Sequence, residues 1–182
     1  MYRLYAILLS SFFLCISCED TDNGPSKRGE ITVSSEIFGS SVYYVNGYSF
    51  EEEKFVPTMN PGSSVSDIIP QRVLQVSGEV IGMVFSAGPG NPYGFYKNFE
   101  SQNPAEAEQF FSGYTQVSVG DLESLTDTLK AGQVYTFRTY KDNYVKILIK
   151  EVRLMTGSAL SDYAEADIKY YIQRDGAPVF EE

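Results

Sequence analysis

The most regular alternation of apolar and polar positions lies in the last third of the chain. In residues 133–140, QVYTFRTY, the side chains of Val134, Thr136 and Arg138 share one side and those of Tyr135, Phe137 and Thr139 the other. A polar turn at Lys141-Asp142-Asn143 leads into residues 144–154, where Val145, Ile147 and Ile149 alternate with Lys146, Leu148 and Lys150. Successive strand side chains point to opposite faces, so this second run predicts a sheet packed on one side. A third run covers residues 164–173, and Asp175-Gly176 predicts a turn toward Val179 and Phe180.

Upstream, residues 30–38 predict a first strand. Asn46-Gly47 between two aromatic and β-branched runs predicts a two-residue hairpin turn, because a type I′ turn needs positive φ at both central positions. Residues 72–85 predict a strand or strand pair, with Gly78 and Gly82 marking bends or bulges. Residues 87–96, AGPGNPYGFY, read as a loop from their Gly and Pro content. Asn103-Pro104-Ala105-Glu106 combines an N-cap, a proline in the first turn and a glutamate three residues past the cap, predicting a short helix that stops near Gly113. Leu122, Leu125 and Leu129 sit at helical spacing and predict a second helix from Asp121 to just before Gly132. Together these elements predict an all-β class: a single, mainly antiparallel β-sandwich-like domain over residues 30–182 with one or two short helices.

The chain begins in a different way. Arg3 precedes an uncharged run from Leu4 to Ile16, and Ser17 stands before Cys18, which is the layout of a secretory signal peptide over residues 1–17. The run is short of the about 20 apolar residues a spanning helix needs. C-I-S-C resembles a lipobox, with Cys15 where that pattern usually has Leu, and this implies that Cys18 carries lipid and becomes the first mature residue. Cys15 would leave with the leader, so the mature chain would have no free thiol and no Cys-based metal site. Residues 18–29 carry no large apolar side chain and are expected to be a lipidated flexible tether. Glu19, Asp20 and Asp22 resemble a surface-export signal of Bacteroidetes lipoproteins; the other reading is a soluble spacer.

Charge narrows the partners. Of 14 basic residues only Arg3 lies in the leader, and none of the 24 acidic ones does, so the mature chain is one charge more negative than the −10 of the whole. Nucleic-acid binders need a basic footprint, so nucleic acid is not an expected partner. The absence of histidine removes Ser-His and Cys-His triads and His-based zinc sites. Paired carboxylates of the glycosidase type are the catalytic option left, weighed against a solvated acidic surface, and no enzymatic activity is expected. Tyr93, Phe95 and Tyr96 cluster in the Gly/Pro loop as candidates for stacking on a small ligand or glycan, against a satellite core under the loop. Adjacent tyrosines (Tyr43 and Tyr44, Tyr170 and Tyr171) must point to opposite faces of a strand. They imply either an interaction surface or a sandwich covered on both sides.

The order AGQVYTFRT, a polar turn, YVKILIK, then IKYYIQRDG resembles the closing strands of the HmuY-like lipoproteins of Bacteroidetes. That resemblance implies an exported lipoprotein at the outer membrane, a β-rich single domain and ligand capture, with haem as the ligand of founding members. Ser66 stands where the family has the Trp of a Trp-Asp-Ile motif, and this chain has no Trp. Haem iron takes His, Met, Cys or Tyr; without His, paired-His ligation is ruled out, and the Met ligation of some relatives, as the resemblance implies it, makes Met59, Met83 and Met155 the candidates. Met59, in a Pro-flanked loop, is the best placed of them, although Met is more often core filler. No resident cofactor is expected. Asp127-Thr128-Leu129 also resembles the short O-glycosylation sequence of Bacteroidetes exported proteins. The expected function is thus non-catalytic ligand capture or surface interaction from a lipid anchor, with an outer-membrane protein as a further partner. The alternative is a structural or assembly lipoprotein with no small ligand.

Overall fold

The computed structural model describes residues 27–58, 65–157 and 161–180. The leader, Cys18, residues 18–26 of the expected tether and Met59 lie outside the described residues. Two antiparallel sheets face each other. The first holds β1 (Lys27–Ser34), β6 (Phe95–Glu100), β7 (Gln133–Arg138), β8 (Tyr144–Met155) and β9 (Tyr163–Gln173) in the order β1-β9-β8-β7-β6. The second holds β2 (Asn46–Ser49), β3 (Lys54–Pro57), β4 (Ile68–Leu74) and β5 (Val80–Ala87) in the order β3-β2-β4-β5. This is the expected all-β sandwich-like architecture.

The alternating runs supply its centre. Phe137, Val145 and Ile172 lie in register across β7, β8 and β9, as do Tyr135, Ile147 and Tyr170. All six are buried in a core that Tyr48, Phe50, Ile68, Met83 and Phe85 complete from the second sheet. β1 starts three residues before the expected domain edge, because Lys27, Arg28 and Gly29 pair with Ile172, Tyr171 and Tyr170. Gly29 is required there: a Cβ would lie 2.6 Å from the Tyr170 ring.

The helix forms as expected. α1 (Pro104–Gly113) is capped by Asn103, whose Oδ1 accepts the Ala105 N–H at 3.0 Å, and Glu106 accepts from Ser101 Oγ at 2.7 Å. It lies on the outer face of the first sheet, and this corrects the one-sided packing expected for residues 144–154. Lys146 is 1% exposed and Leu148 3%. Ala107 and Phe111 of the helix, Val134, Leu148, Tyr171 and Phe180 form a second core there. Tyr170 and Tyr171 accordingly enter different cores, which is the covered-on-both-sides outcome for that pair. The Lys146 ammonium donates to the carbonyls of Phe111 and Tyr114, each at 2.9 Å, and lies near the rings of Phe111, Tyr171 and Phe180. A long stem with a charged tip can cross an apolar layer when the tip meets the open carbonyls of a helix end.

Two other expectations change. Asn46-Gly47 is not a turn but the start of β2, with Gly47 opposite Val56. A Cβ on Gly47 would lie 2.6 Å from Ser66 Cβ and 2.7 Å from the Ile68 carbonyl, so close strand packing demands glycine there. The hairpin turns instead at residues 50–53, where Glu53 takes a positive φ of 52°. The second helix is also absent from residues 121–129. That segment spends its backbone hydrogen bonds on both sheets: Glu123 exchanges them with Phe95 of β6, Thr126 N–H donates to Phe85 and Leu129 N–H to Met83 of β5. It seals one open edge of the sandwich as an irregular strand, so tertiary pairing overrides the leucine spacing.

Candidate functional site

The three aromatics of the Gly/Pro loop go to three places, because β6 begins at Phe95 and the expected loop ends sooner. Phe95 is 2% exposed, with its ring 4.7 Å from that of Phe137. It is a core residue and not a stacking surface, which corrects its candidacy. Tyr93 stays in the loop, its ring 4.1 Å from the Arg138 guanidinium, which lies 5.5 Å from the Tyr144 ring on another side. A hydrogen bond to Asp142 raises the Tyr93 hydroxyl. Asn91 Nδ2 donates to the Arg138 carbonyl at 3.1 Å, so Tyr93 and its loop clamp the turn between β7 and β8. Tyr96 is half-buried against Gly120, where a Cβ would come within 2.9 Å of its ring.

Phe95 and Tyr96 meet again at a cavity of about 220 Å³ on the β6 edge, under the segment that seals the sandwich. Its walls come from Phe95, Tyr96 and Lys97 of β6, from Asp121, Glu123, Leu125, Thr126 and Asp127 of the sealing segment, and from Tyr135 of β7. The Lys97 ammonium spans the two sides, 2.6 Å from Asp127 and 2.9 Å from Glu100. Both hydrogen bonds raise its pKa, and its charge in turn lowers Glu100. Tyr135 is 2% exposed and its hydroxyl has no hydrogen-bond partner in the structure. Burial raises this hydroxyl, and the charges of Asp127 and Glu100 add to the effect. A buried unpaired hydroxyl costs about 1–3 kcal/mol, and Tyr135 carries that cost behind the wall of this cavity. Sequence reasoning selected Phe95 and Tyr96 for a loop surface and missed Tyr135, which strand periodicity marks only as core.

A larger groove of about 490 Å³ lies on the outer face of β1, β8 and β9, lined by Glu30, Lys150 and Asp167 among others. Its charges satisfy one another: Lys150 pairs with Glu30 at 2.8 Å, and Asp167 accepts from Arg153 at 3.0 Å and from Thr32 at 2.6 Å. The Arg153 guanidinium holds the Asp167 carboxyl down at about 2. The groove therefore leaves none of these groups waiting for a ligand.

Asp67 is a further perturbed group, also missed from the sequence. Burial pushes its carboxyl up to about 7. Its Oδ2 accepts the Phe50 N–H at 2.7 Å and the Ser49 hydroxyl at 3.3 Å, anchoring the residue 50–53 turn, while Oδ1 is buried and unpartnered. Through these contacts Asp67 holds the turn. Among the described residues no group of three or more His, Cys, Asp or Glu could hold a metal ion. Met83 is fully buried between the sheets, Met155 ends β8 half-buried, and Thr128 is exposed beside Gly82. No family model, curated protein or solved structure matches the chain.

Proposed function

We propose that this chain is a non-catalytic capture protein of the cell envelope, held at the outer membrane by lipid on Cys18, that takes a small polar ligand at the β6 edge. The observation that carries this reading is the β6-edge cavity itself, walled by the aromatic residues Phe95, Tyr96 and Tyr135 and by the carboxylates of Asp121, Glu123 and Asp127. The expected leader with its C-I-S-C sequence and the likeness of the closing strands to HmuY-like lipoproteins support an exported binding role. Haem does not suit this site: about 220 Å³ lies below the about 300–1,000 Å³ typical of drug-sized ligands.

Calorimetric titration of the lipidated protein in detergent, against a panel of monosaccharides and small amines, tests the reading. Binding that is lost in Leu125→Arg, which places a long side chain at the rim, is the expected result. Failure of every panel member, or binding that ignores Leu125→Arg, overturns it. The structural or assembly alternative draws on a different feature, the tip of the β4–β5 hairpin, where Leu74 and Ile81 are about half exposed and Val76 entirely so. Exposed apolar side chains grouped in this way suit a protein partner.

A further inference from the structure

We infer that the end of the sandwich farthest from Lys27 is a docking surface for a protein partner, one whose contact face is apolar at its centre and basic at its rim. This deepens the assembly reading drawn above from the β4–β5 hairpin and does not depend on the β6-edge cavity. Register fixes the two ends. Lys27 pairs with Ile172, beside Gln173 where β9 stops. At the start of β9, Arg72 donates to the Ser161 hydroxyl and, at 3.1 Å, to the Asp162 carbonyl, so the β4–β5 hairpin runs on past that end. Met155 faces Tyr163 there, and Ser35 N–H donates to the Ala164 carbonyl at 2.9 Å, so the end of β8 and the segment after β1 reach the same place. Of the nine exposed large hydrophobics among the described residues, six gather here: Leu74, Val76 and Ile81 on the hairpin, Leu154 on β8, and Val42 and Tyr43 after β1. Each is at least 44% exposed. Apolar side chains left in solvent together mark an interaction site.

Tether length and charge choose among a bilayer, a second copy and another protein. From the lipid-bearing Cys18 proposed above, a fully extended chain reaches Lys27 over about 30 Å. β9 alone spans about 34 Å, and the hairpin turn at Val76 lies four residues past Arg72. The tip therefore stands about 45 Å from Lys27, so the anchor cannot seat this end, tip first, in the bilayer that holds it. The segments that build this end, residues 35–45, 72–81 and 154–164, carry Glu36, Glu79 and Asp162 against Arg72, and they hold no lysine. Docking on a membrane surface draws on Lys and Arg beside the apolar side chains, and here acidic groups outnumber basic ones. Two copies meeting through this end would set acid against acid across the contact. A protein with an apolar centre and a basic rim matches both the side chains and the charge.

The test places a photo-crosslinking amino acid at Ser77, in the exposed hairpin turn, or at Lys54 as a control, in the full chain within the cells that make it. Irradiation is expected to give a discrete protein adduct from Ser77 that Lys54 does not give, and Val76→Asp in the same chain should remove it. Val76 is entirely exposed, so an unchanged melting temperature serves as the folding control. The partner identified in this way, once purified, should bind the wild type more weakly as salt rises. It should bind about tenfold more weakly to Val76→Asp and about threefold more weakly to Glu79→Lys. No adduct from Ser77, an adduct that Val76→Asp leaves intact, or an adduct with lipid or with a second copy overturns the inference. Binding that Glu79→Lys strengthens overturns the basic rim. Vesicles of phosphatidylethanolamine and phosphatidylglycerol, and sedimentation of the purified protein, test the other occupants; vesicle binding or a dimer that Val76→Asp abolishes overturns the choice of a different protein. Palmitate labelling reports the anchor separately: without label on Cys18 the anchor is lost, and the Ser77 adduct still decides the surface.

Discussion

Replacing Asp67 by asparagine removes a charge from the most thoroughly buried carboxyl described above while leaving its shape. Asp67 is 0% exposed, and its carboxyl titrates at about 7 instead of 3.8, with burial the largest cause. The Phe50 N–H and Ser49 hydroxyl oppose the rise, and the charge of Glu51 adds to it. Each pKa unit corresponds to about 1.36 kcal/mol, so ionising this group in the native state costs about 4 kcal/mol relative to the unfolded chain. Because the native state holds the proton more tightly, this contribution is fully present below about pH 4. It is lost as pH rises from there through 7 and is flat above. At pH 4.5 the wild type and Asp67→Asn are both neutral at this site and should agree within about 1 kcal/mol. At pH 8.5 the variant should be more stable by about 2–4 kcal/mol, since the amide keeps the acceptor for Phe50 and carries no buried charge. Urea denaturation of both proteins at half-unit steps from pH 4.5 to 8.5, followed by circular dichroism, measures the difference directly. Two stability curves that run parallel across this range would refute the assignment of a raised, burial-driven carboxyl.

Three further outcomes are expected. Lys146→Met keeps the stem and removes the ammonium from the Phe111 and Tyr114 carbonyls, so it should cost about 2–3 kcal/mol and speed amide exchange at the end of α1; unchanged exchange there would show that the helix end has no need of it. Phe95→Ala should cost about 3–5 kcal/mol, whereas Tyr93→Ala, which loses mainly its contact with Arg138, should cost about 1 kcal/mol; equal melting-temperature drops would show that both rings are core. Radiolabelled palmitate should enter the protein and be absent from Cys18→Ala, and label that persists in that variant would remove the anchor.

Strand grammar was legible wherever one side of a strand is apolar and the other polar. Residues 133–138, 144–155 and 163–173 fall where the alternation placed them, and the Asn103-Pro104 cap begins its helix on register. Asn46-Gly47 misled because the same pair serves a tight strand crossing as readily as a turn, and the deciding atoms, Ser66 Cβ and the Ile68 carbonyl, are distant in sequence. Leu122, Leu125 and Leu129 misled because three residues with helical spacing do not form a helix when neighbouring strands offer their backbone hydrogen bonds.

The candidate site divides along the same line. Tyr96 and Phe95 stood out as aromatics beside glycine and proline, but only the paired sheets could show that one is half-exposed on an edge and the other sealed in the core. Lys146 read as a solvent-facing position until α1 and Phe180 covered it, and Tyr135 read as core until its hydroxyl was found without a partner. Local pattern decides which residues extend and which way they alternate, because those preferences act between chain neighbours. Which face is covered, which polar atom is left unpaired and which carboxylates share a cavity depend on residues brought together from far along the chain, and no local pattern encodes that company.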